Sequence, residues 1–268
     1  MIIKAYAKVN LYLAVLKKRQ DGYHDILSLM HNISLYDSIE IVESKVESFE
    51  SNSALRWDDN NTVYRAVRVF ESETGIKTNL KIRLHKGIPS RAGLGGASAD
   101  AAAILWYLCK KYEVDGIVKM AQKVGSDVPF FVEGGCGLVE GKGEKIKVLE
   151  PFDASIELYV PKTRFATSYM YELVDRMRIS SRKGNPMTLY SALKSRDVQL
   201  AEENMYNTFE EVAKMTYPSV VKEAYERLRE HKLVMMTGSG SAFFGMNMER
   251  KGFKKGARLI AHPRDVQN

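Results

Sequence analysis

Hydrophobic and polar residues alternate along the first segment of the chain, from residue 3 to residue 15. Alternation with a period of two is typical of a β-strand that has one face against a core. The odd-numbered positions carry apolar side chains, so we expect Lys8 and Asn10 to project together from the opposite, solvent-facing side. Further strands are predicted within residues 26–42.

Later segments predict a mixture of helices and strands. Asn61 is expected to cap a helix that runs to about Thr74 and stops at Gly75. A hairpin is predicted for residues 134–148, and the run from Asn207 to Glu210 has the features of a helix start. Apolar spacing predicts further helices over 97–112, 115–123 and 218–230, and strands over 80–85, 156–160, 233–236 and 242–246. This mixture favours a two-layered α+β fold.

A glycine-rich stretch between a predicted strand and a predicted helix carries the most chemical information. It consists of Pro89, Ser90, Arg91, Ala92, Gly93, Leu94, Gly95, Gly96, Ala97, Ser98 and Ala99. Glycine permits positive φ and removes the Cβ, so backbone N–H groups can surround an anion at the positive end of a helix. The stretch fits neither the Walker A nor the Rossmann pattern. We therefore predict a nucleotide phosphate site of another class, with a plain helix-capping turn as the alternative.

Residues 89–102 resemble the second motif of the GHMP kinase superfamily, which includes galactokinase, homoserine kinase and mevalonate kinase. Two other segments agree with it in order, residues 7–11 and residues 237–245. The resemblance implies a two-lobed α+β GHMP kinase fold. Its N-terminal lobe, residues 1–152, would resemble the second domain of ribosomal protein S5, and its C-terminal lobe, residues 153–268, would be a ferredoxin-like α/β sandwich. It also implies ATP as the phosphoryl donor, with Mg²⁺ carried mainly by the nucleotide.

Two charged residues are the candidates for catalysis. Asp127 stands in the otherwise apolar segment 124–132, and an acid in such surroundings usually has a specific partner. The resemblance implies that Asp127 is the catalytic acid/base and that Lys8 holds it ionised and offsets phosphoryl charge. From the residues alone, a backbone-bonded aspartate and a solvated lysine are the alternatives, and the relative weight of the two groups stays open. Pro129 is expected to keep Val128 extended.

The acceptor site is predicted from a second set of motifs. The run from Asp21 to His24, with residues 125–131, resembles a branch of the superfamily that phosphorylates a cytidyl diphosphate-linked methylerythritol in non-mevalonate isoprenoid synthesis. Aromatic rings stack on pyrimidines and a histidine can bond their edge. The resemblance therefore implies acceptor contacts from Asn10, Tyr23, His24 and, by a loose match, Thr167, with a second anion-binding turn at Gly238 and Ser239.

Three further positions qualify the nucleotide site. Asn61 and Lys86 match positions near the adenosine in the superfamily, although a helix cap and a solvated lysine are equally ordinary explanations. Ala99 stands where the loop usually has a second serine, so the ligands of Mg²⁺ are left open. The carboxylates do not cluster as they would in a dedicated metal cage.

Composition changes this picture little. The 268 residues are 45% hydrophobic and 27% charged, as in ordinary globular proteins, and we expect a cytoplasmic enzyme with no membrane partner. Cys109 and Cys136 lack the spacing of a metal or disulfide site. The net charge of +7 suits a polyanionic small-molecule substrate, and we expect no nucleic acid partner and a monomer or weak homodimer. The alternatives are another acceptor, of the homoserine or mevalonate type, and a basic RNA-binding module.

Overall fold

The computed structural model describes residues 1–179, 183–248 and 257–258. Within these ranges the chain forms eleven strands and nine helices. The strands are β1 (Ile2–Lys18), β2 (His24–Glu43), β3 (Ser48–Ser51), β4 (Leu80–His85), β5 (Cys136–Gly141), β6 (Lys145–Leu149), β7 (Ser155–Tyr159), β8 (Tyr206–Asn207), β9 (Leu233–Met236), β10 (Phe243–Asn247) and β11 (Ala257–Arg258). The helices are α1 (Thr62–Thr74), α2 (Gly96–Lys111), α3 (Ile117–Val124), α4 (Val128–Glu133), α5 (Thr167–Met177), α6 (Pro186–Ser195), α7 (Val198–Asn204), α8 (Thr208–Thr216) and α9 (Pro218–Arg227).

The larger of two sheets has the strand order β3-β4-β2-β1-β8, and β5 joins it by pairing with β2 and with β6. The long strands β1 and β2 form its antiparallel centre. Helices α1 to α4 pack on one side through an apolar cluster that includes Phe70, Leu105 and Val128. In this half of the chain, the helices therefore lie on the side of the sheet that also holds α2, the helix that follows the glycine-rich stretch.

The smaller sheet has the order β11-β7-β10-β9, with antiparallel pairing throughout. Alternate residues of β10 serve two clusters: Phe243 packs with α5, α8 and α9, whereas Phe244 packs in a cluster that also holds Val9 and Leu11 of β1. The two sheets thus share a core. The predicted boundary between residues 152 and 153 lies in the link between β6 and β7, and the division into domains stays a prediction.

Local sequence signals predicted many of these elements correctly. The side chain of Asn61 accepts the N–H of Val63 at the start of α1, and Gly75 ends that helix with a φ of +72°. The predicted helices and strands from residue 80 onward are present, but residues 26–42 belong to one strand, β2. Helices α4, α5, α6 and α7 were not predicted. Among the helices of the described residues, none is long and apolar enough to cross a membrane.

The prediction that one face of β1 meets solvent was wrong. Lys8 is 3% exposed and Asn10 is 1% exposed. β1 lies between β2 and β8, with helices on one side and the second sheet on the other, so both of its faces are covered. Its register with β2 shifts between Tyr6 and Lys8 and again between Asn10 and Tyr12, which breaks the strict alternation that the sequence suggested.

The prediction that Pro129 keeps Val128 extended was also wrong. Val128 is the first residue of α4, and Pro129 is the second. A proline in the first turn of a helix removes only an N–H that would have no partner within that helix, so the helix can begin before it. As a result Asp127, which directly precedes α4, stands at a helix N-terminus.

A buried histidine connects β2 with the link between the two halves. The ring of His31 donates from Nδ1 to the carbonyl of Asn32 at 2.9 Å, and its Nε2 accepts the N–H of Phe152 at 3.3 Å. The neutral ring satisfies both bonds. Burial lowers the pKa of His31 to about 4, and the carbonyl of Asn32 opposes this only in part.

We expect His31 to make the fold sensitive to acid. Its pKa is lower in the folded protein than in the unfolded chain, so the unfolded chain binds the proton first as the pH falls below about 6.5. The stability lost through this group should reach about 3 kcal/mol at a pH near 4. Urea unfolding across this pH range should show a shallower fall for His31→Gln than for the wild type. His85→Gln, at an exposed histidine, is the control, and equal slopes in all three proteins would contradict the assignment.

Candidate active site

The central strand β1 presents Lys8 to the glycine-rich stretch. The backbone N–H of Lys8 donates to the carbonyl of Leu94 at 3.0 Å, and its ammonium group donates to Oδ1 of Asn10 at 2.5 Å. The amide of Asn10 in turn donates to Oγ of Ser28 at 2.8 Å. Burial lowers the pKa of Lys8, and the negative charge of Asp127 acts in the opposite direction. Lys8 and Asn10 thus lie on one side of the strand, as the sequence predicted.

Asp127 comes close to Lys8, although 118 residues lie between them in the sequence. Its Oδ2 lies 3.8 Å from Nζ of Lys8, and its side chain is 35% exposed while that of Lys8 is almost fully buried. Within the described chain, the carboxylate makes no capping hydrogen bond to α4 even though it stands at the helix start. The alternative of a backbone-bonded aspartate is therefore not what the structure contains, and the carboxylate stays available toward open space.

The glycine-rich stretch forms the turn that enters α2. Gly93 and Gly95 have φ values of +75° and +73°, and Gly95 is the residue at which α2 is capped. A Cβ on Gly95 would lie 2.5 Å from the ring of Phe131 and 3.2 Å from Cε of Lys8, so this position requires glycine. The turn thus lies directly against the residues that bring Lys8 and Asp127 together.

A cavity of about 440 Å³ joins these groups. Of the residues predicted for the nucleotide and the acceptor, most line it: all ten positions from 89 to 98, and Lys8, Asn10, Asn61, Lys86, Asp127, Thr167, Gly238 and Ser239. Ala99 does not, because it is turned into the apolar cluster beneath α2, and its assignment to ATP stays a prediction. Sequence reasoning missed several lining residues, namely Leu13, Ile26, Met30, Leu55, Asn60, Thr62, Asp100, Tyr171 and Phe209.

Lys86 is not a solvated lysine, because two acidic side chains beside the glycine-rich stretch bind its ammonium group. Its ammonium group donates to Asp37, which is fully buried, and to Oδ2 of Asp100 at 2.5 Å. Asp37 also accepts the N–H groups of Gly87 and Ile88 at 2.6 and 2.8 Å. This group of one lysine and two carboxylates, here called the Lys86 cluster, therefore fixes the chain where it enters the glycine-rich stretch.

The Lys86 cluster has one basic and two acidic side chains, and the pKa of Asp100 reflects this imbalance. Burial raises the pKa of Asp100 to about 8; Lys86 opposes this rise and Asp37 adds to it. The Oδ1 atom of Asp100 has no hydrogen-bond partner among the described residues. Burial by itself lowers the pKa of Lys86, but Asp100 and Asp37 together hold it above its ordinary value. Near neutral pH the cluster therefore holds one proton on a carboxyl group and is close to electrically neutral.

The opposite end of the cavity is aromatic. Tyr171 of α5 lies against the ring of His24, with centroids 4.9 Å apart and planes nearly parallel, and meets Phe209 edge-on at 4.8 Å. His24 is buried, and its Nε2 lies 2.7 Å from Oδ1 of Asp175. Among the described lining residues His24 and Tyr23 are absent, and Tyr171 separates His24 from the cavity.

Tyr23 is an exposed residue outside the lining of the cavity, whereas the second predicted turn is part of that lining. Tyr23 is 54% exposed, and the ammonium group of Lys142 lies 5.0 Å from its ring centroid. Thr167 and Ser239 share a hydrogen bond of 2.8 Å between their hydroxyl groups, which joins the start of α5 to the turn at Gly238. Of the predicted acceptor residues, Asn10, Thr167, Gly238 and Ser239 therefore line the cavity, whereas Tyr23 and His24 do not.

The oxygen atoms around the cavity suit Mg²⁺ that arrives on a nucleotide. Among the described residues, no group of three or more histidine, cysteine or acidic side chains could hold a metal ion. The hydroxyl of Ser98 and the carboxylate of Asp127 line the same cavity and are the hard oxygen donors that Mg²⁺ prefers. Two such donors fit a metal that takes most of its ligands from phosphate and water.

Comparison with known proteins gives consistent matches. The family model GHMP kinases N terminal domain matches residues 61–135, and GHMP kinases C terminal matches residues 189–249. The 4-diphosphocytidyl-2-C-methyl-D-erythritol kinase of Petrotoga mobilis is 40% identical over 252 residues, which cover 91% of this chain and 98% of that protein. The protein of the same name from Thermotoga maritima is 38% identical and covers 92% of each chain.

Solved structures agree with these matches. A crystal structure of 4-(cytidine 5'-diphospho)-2C-methyl-D-erythritol kinase has a TM-score of 0.79 at 32% identity, and covers 92% of this chain and 90% of that chain. The mevalonate kinase of Methanococcus jannaschii has a TM-score of 0.63 at 16% identity, and covers 92% of this chain and 90% of that chain. At that identity the likeness to mevalonate kinase shows the fold alone.

We expect the Lys86 cluster to be a major contributor to stability. Lys86→Met would leave two buried carboxyl groups without their cation, which should lower the free energy of unfolding by about 3 kcal/mol or more. The unfolded chain releases the Asp100 proton at a much lower pH than either folded protein, so both proteins lose stability as the pH rises. Without Lys86 to favour the ionised form, the variant should keep this proton to a higher pH than the wild type does, so the loss caused by the substitution should grow as the pH rises from about 7 toward 9. Urea unfolding at both pH values measures this. Lys81→Met, at a more exposed lysine of β4, the strand that Lys86 directly follows, is the control, and an equal loss in the two variants would contradict the expectation.

Proposed function

Because the chain belongs to the GHMP kinase superfamily and, within it, to the 4-diphosphocytidyl-2-C-methyl-D-erythritol kinases, we propose that it phosphorylates the 2-hydroxyl of that cytidyl substrate. ATP is the donor, and the products are the 2-phosphate and ADP, in the non-mevalonate route to isopentenyl diphosphate. The chain has the two-lobed α+β fold of GHMP kinases.

One observation carries the proposal for the site. Lys8 and Asp127 meet beside the turn that enters α2, and all three face one cavity. Phosphoryl transfer asks a protein mainly to orient a hydroxyl, neutralise phosphate charge and exclude water. The turn offers backbone N–H groups and the positive end of α2 to the phosphates, and the buried ammonium group of Lys8 offers a cation next to them.

The reaction follows from this arrangement. The acceptor hydroxyl binds near Asp127, whose carboxylate takes the hydroxyl proton as the oxygen bonds to the γ-phosphorus. The bond between that phosphorus and the β–γ bridging oxygen breaks, and ADP leaves with the electron pair. Lys8 offsets the charge that develops on the transferred group, while Asn10 fixes the position of its ammonium group. Mg²⁺, held by the nucleotide with help from Ser98 and Asp127, would supply further neutralisation of phosphate charge.

The aromatic end of the cavity suits the cytidyl group of the acceptor. Tyr171, Phe209 and His24 form a connected set of rings, and flat apolar faces of this kind take a pyrimidine by stacking. Asp175 accepts a hydrogen bond from His24, and the ring of His24 stacks on Tyr171, so this pair holds the Tyr171 ring in place for a base. Gly238, Ser239 and Thr167 lie between this end and the glycine-rich stretch, where a diphosphate would pass. A homoserine or mevalonate acceptor has no ring to use these faces.

Other properties stay predictions. These are the cytoplasmic location, the absence of nucleic acid and membrane partners, and a monomeric or weakly dimeric state. The scattered distribution of the basic residues supports a small anionic substrate over RNA.

We expect Asp127→Asn to lower kcat by at least a hundredfold, because the amide accepts no proton from the hydroxyl. Affinity for ATP should change little, since the turn at residues 93–98 remains intact. Coupled assay of ADP release with the cytidyl substrate, together with titration of an unreactive ATP analogue, measures both. Asp115→Asn, at an exposed aspartate outside the cavity, is the control. Normal turnover by D127N would remove the proton-acceptor role and leave positioning by Lys8 as the main contribution.

We expect His24→Ala to raise KM for the cytidyl substrate about tenfold, with a much smaller change in KM for ATP. The variant loses the ring that stacks on Tyr171 and bonds Asp175. His85→Ala, at an exposed histidine at the end of β4, should leave both constants unchanged. Equal rises in the two KM values for H24A would exclude His24 from the pyrimidine site.

A further inference from the structure

The turn between β9 and β10 contacts the glycine-rich stretch, residues 89–99, through backbone atoms; this stretch is called the nucleotide loop below. The N–H of Ala242 donates to the carbonyl of Ala92 at 3.1 Å, and Oγ1 of Thr237 accepts the N–H of Asn10 at 2.9 Å. A Cβ on Gly93 would lie 2.1 Å from the carbonyl oxygen of Thr237, and one on Gly238 would lie 2.8 Å from that of Gly93. These close contacts therefore fix the distance between this turn and the nucleotide loop. Both segments line the cavity, so the same distance separates two of its walls.

The side chain of Asn207 holds this turn in place by hydrogen bonds. Its amide nitrogen donates to the carbonyls of Met236 at 2.7 Å and Gly238 at 3.0 Å, and its Oδ1 accepts the N–H of Phe209 at 2.9 Å at the start of α8. The residue is buried, so both amide protons and the amide oxygen are used within the protein. The same residue belongs to β8, which pairs with β1 opposite Leu13.

Glu210, one helical turn later, completes the support. Its carboxylate accepts the N–H of Met236 at 2.8 Å and the hydroxyl of Tyr225 at 2.5 Å. The start of α8 therefore binds Met236, the last residue of β9, at two points: Glu210 accepts its N–H and Asn207 donates to its carbonyl. Of Asn207 and Glu210, it is Asn207 that also reaches beyond β9, to the carbonyl of Gly238, a residue that lines the cavity.

We propose that Asn207 is a positioning residue for phosphoryl transfer, which holds the turn at Gly238 and Ser239 at its working distance from the nucleotide loop. The inference rests on the proposed function. Asn207 touches no substrate in this arrangement; it acts through the two carbonyls that it binds. A displacement of the turn by about 1 Å is enough to lower turnover about a hundredfold, because reacting groups must be aligned closely.

The test uses two variants of the full chain. Asn207→Ser keeps an oxygen that can cap α8 but loses both bonds to the turn, and Asn207→Asp keeps the shape but turns a carboxylate toward two carbonyl oxygens. Both should lower kcat about a hundredfold while affinity for an unreactive ATP analogue changes less than threefold. Asn185→Asp is the matched control, because Asn185 caps α6 with its side chain and is exposed.

A second measurement does not depend on the acceptor. Hydrogen exchange should quicken in Asn207→Ser at the amides of Thr237, Gly240 and Ala242, which are bonded within the turn or to the nucleotide loop, and not in α1. If the wild type fails to turn over the cytidyl substrate, the proposed function fails and exchange alone decides on Asn207. Unchanged exchange in the turn, unchanged kcat, or a loss of kcat that merely follows the fraction of unfolded protein would each overturn the positioning role.

Discussion

The burial of one ammonium group constrains the whole site. Lys8 lies in the centre of a sheet that is covered on both faces, where a charged group without compensation is strongly unfavourable. The compensation comes from parts far apart in sequence: Asn10 on the same strand, Asp127 before α4, and an open cavity on the far side of the ammonium group. The strand, α4 and the nucleotide loop must therefore assemble in one relative arrangement before this lysine can be buried.

Close backbone contact extends that arrangement to the second half of the chain. Gly93 and Gly238 come so near each other that neither position tolerates a Cβ without displacement of the backbone. Glycine at both positions reflects this mutual contact as well as the conformation of each turn. The nucleotide loop therefore packs against both halves of the chain. This agrees with the apolar cluster that runs between β1 and the smaller sheet.

The sequence predicted local structure and chemistry better than burial. Asn61, Gly75 and the glycine-rich stretch were identified correctly because caps and turns depend on neighbouring residues. The exposure of Lys8 was predicted wrongly, because period two describes a strand but does not say what covers its second face. Helix α5 has apolar residues at Met170, Leu173, Val174 and Met177, a helical spacing that could have revealed it and with it Tyr171.

The Lys86 cluster depended on information that no local pattern contains. Asp37, Lys86 and Asp100 come from three separate segments, and their contact follows only from the tertiary structure. The resemblance gave Lys86 a position near the nucleotide but not its partners. In the same way, Asn207 was predicted from sequence as a helix start, and that is correct; its bonds to Met236 and Gly238 became visible only with the smaller sheet in place.

The contrast between Lys8 and Lys86 supports the proposal that Lys8 is the lysine that serves phosphate. Lys86 donates to the side chains of Asp37 and Asp100 at short distance, so its charge is already balanced within the protein. Lys8 has a single carboxylate at 3.8 Å and an uncharged amide at 2.5 Å, so most of its field is not cancelled. Since the field of an ammonium group in a region of low dielectric acts strongly over a few ångströms, a phosphoryl group in the cavity would feel Lys8 far more than Lys86. The proposal therefore assigns the two lysines separate tasks, in which Lys86 fixes the loop and Lys8 supplies the charge.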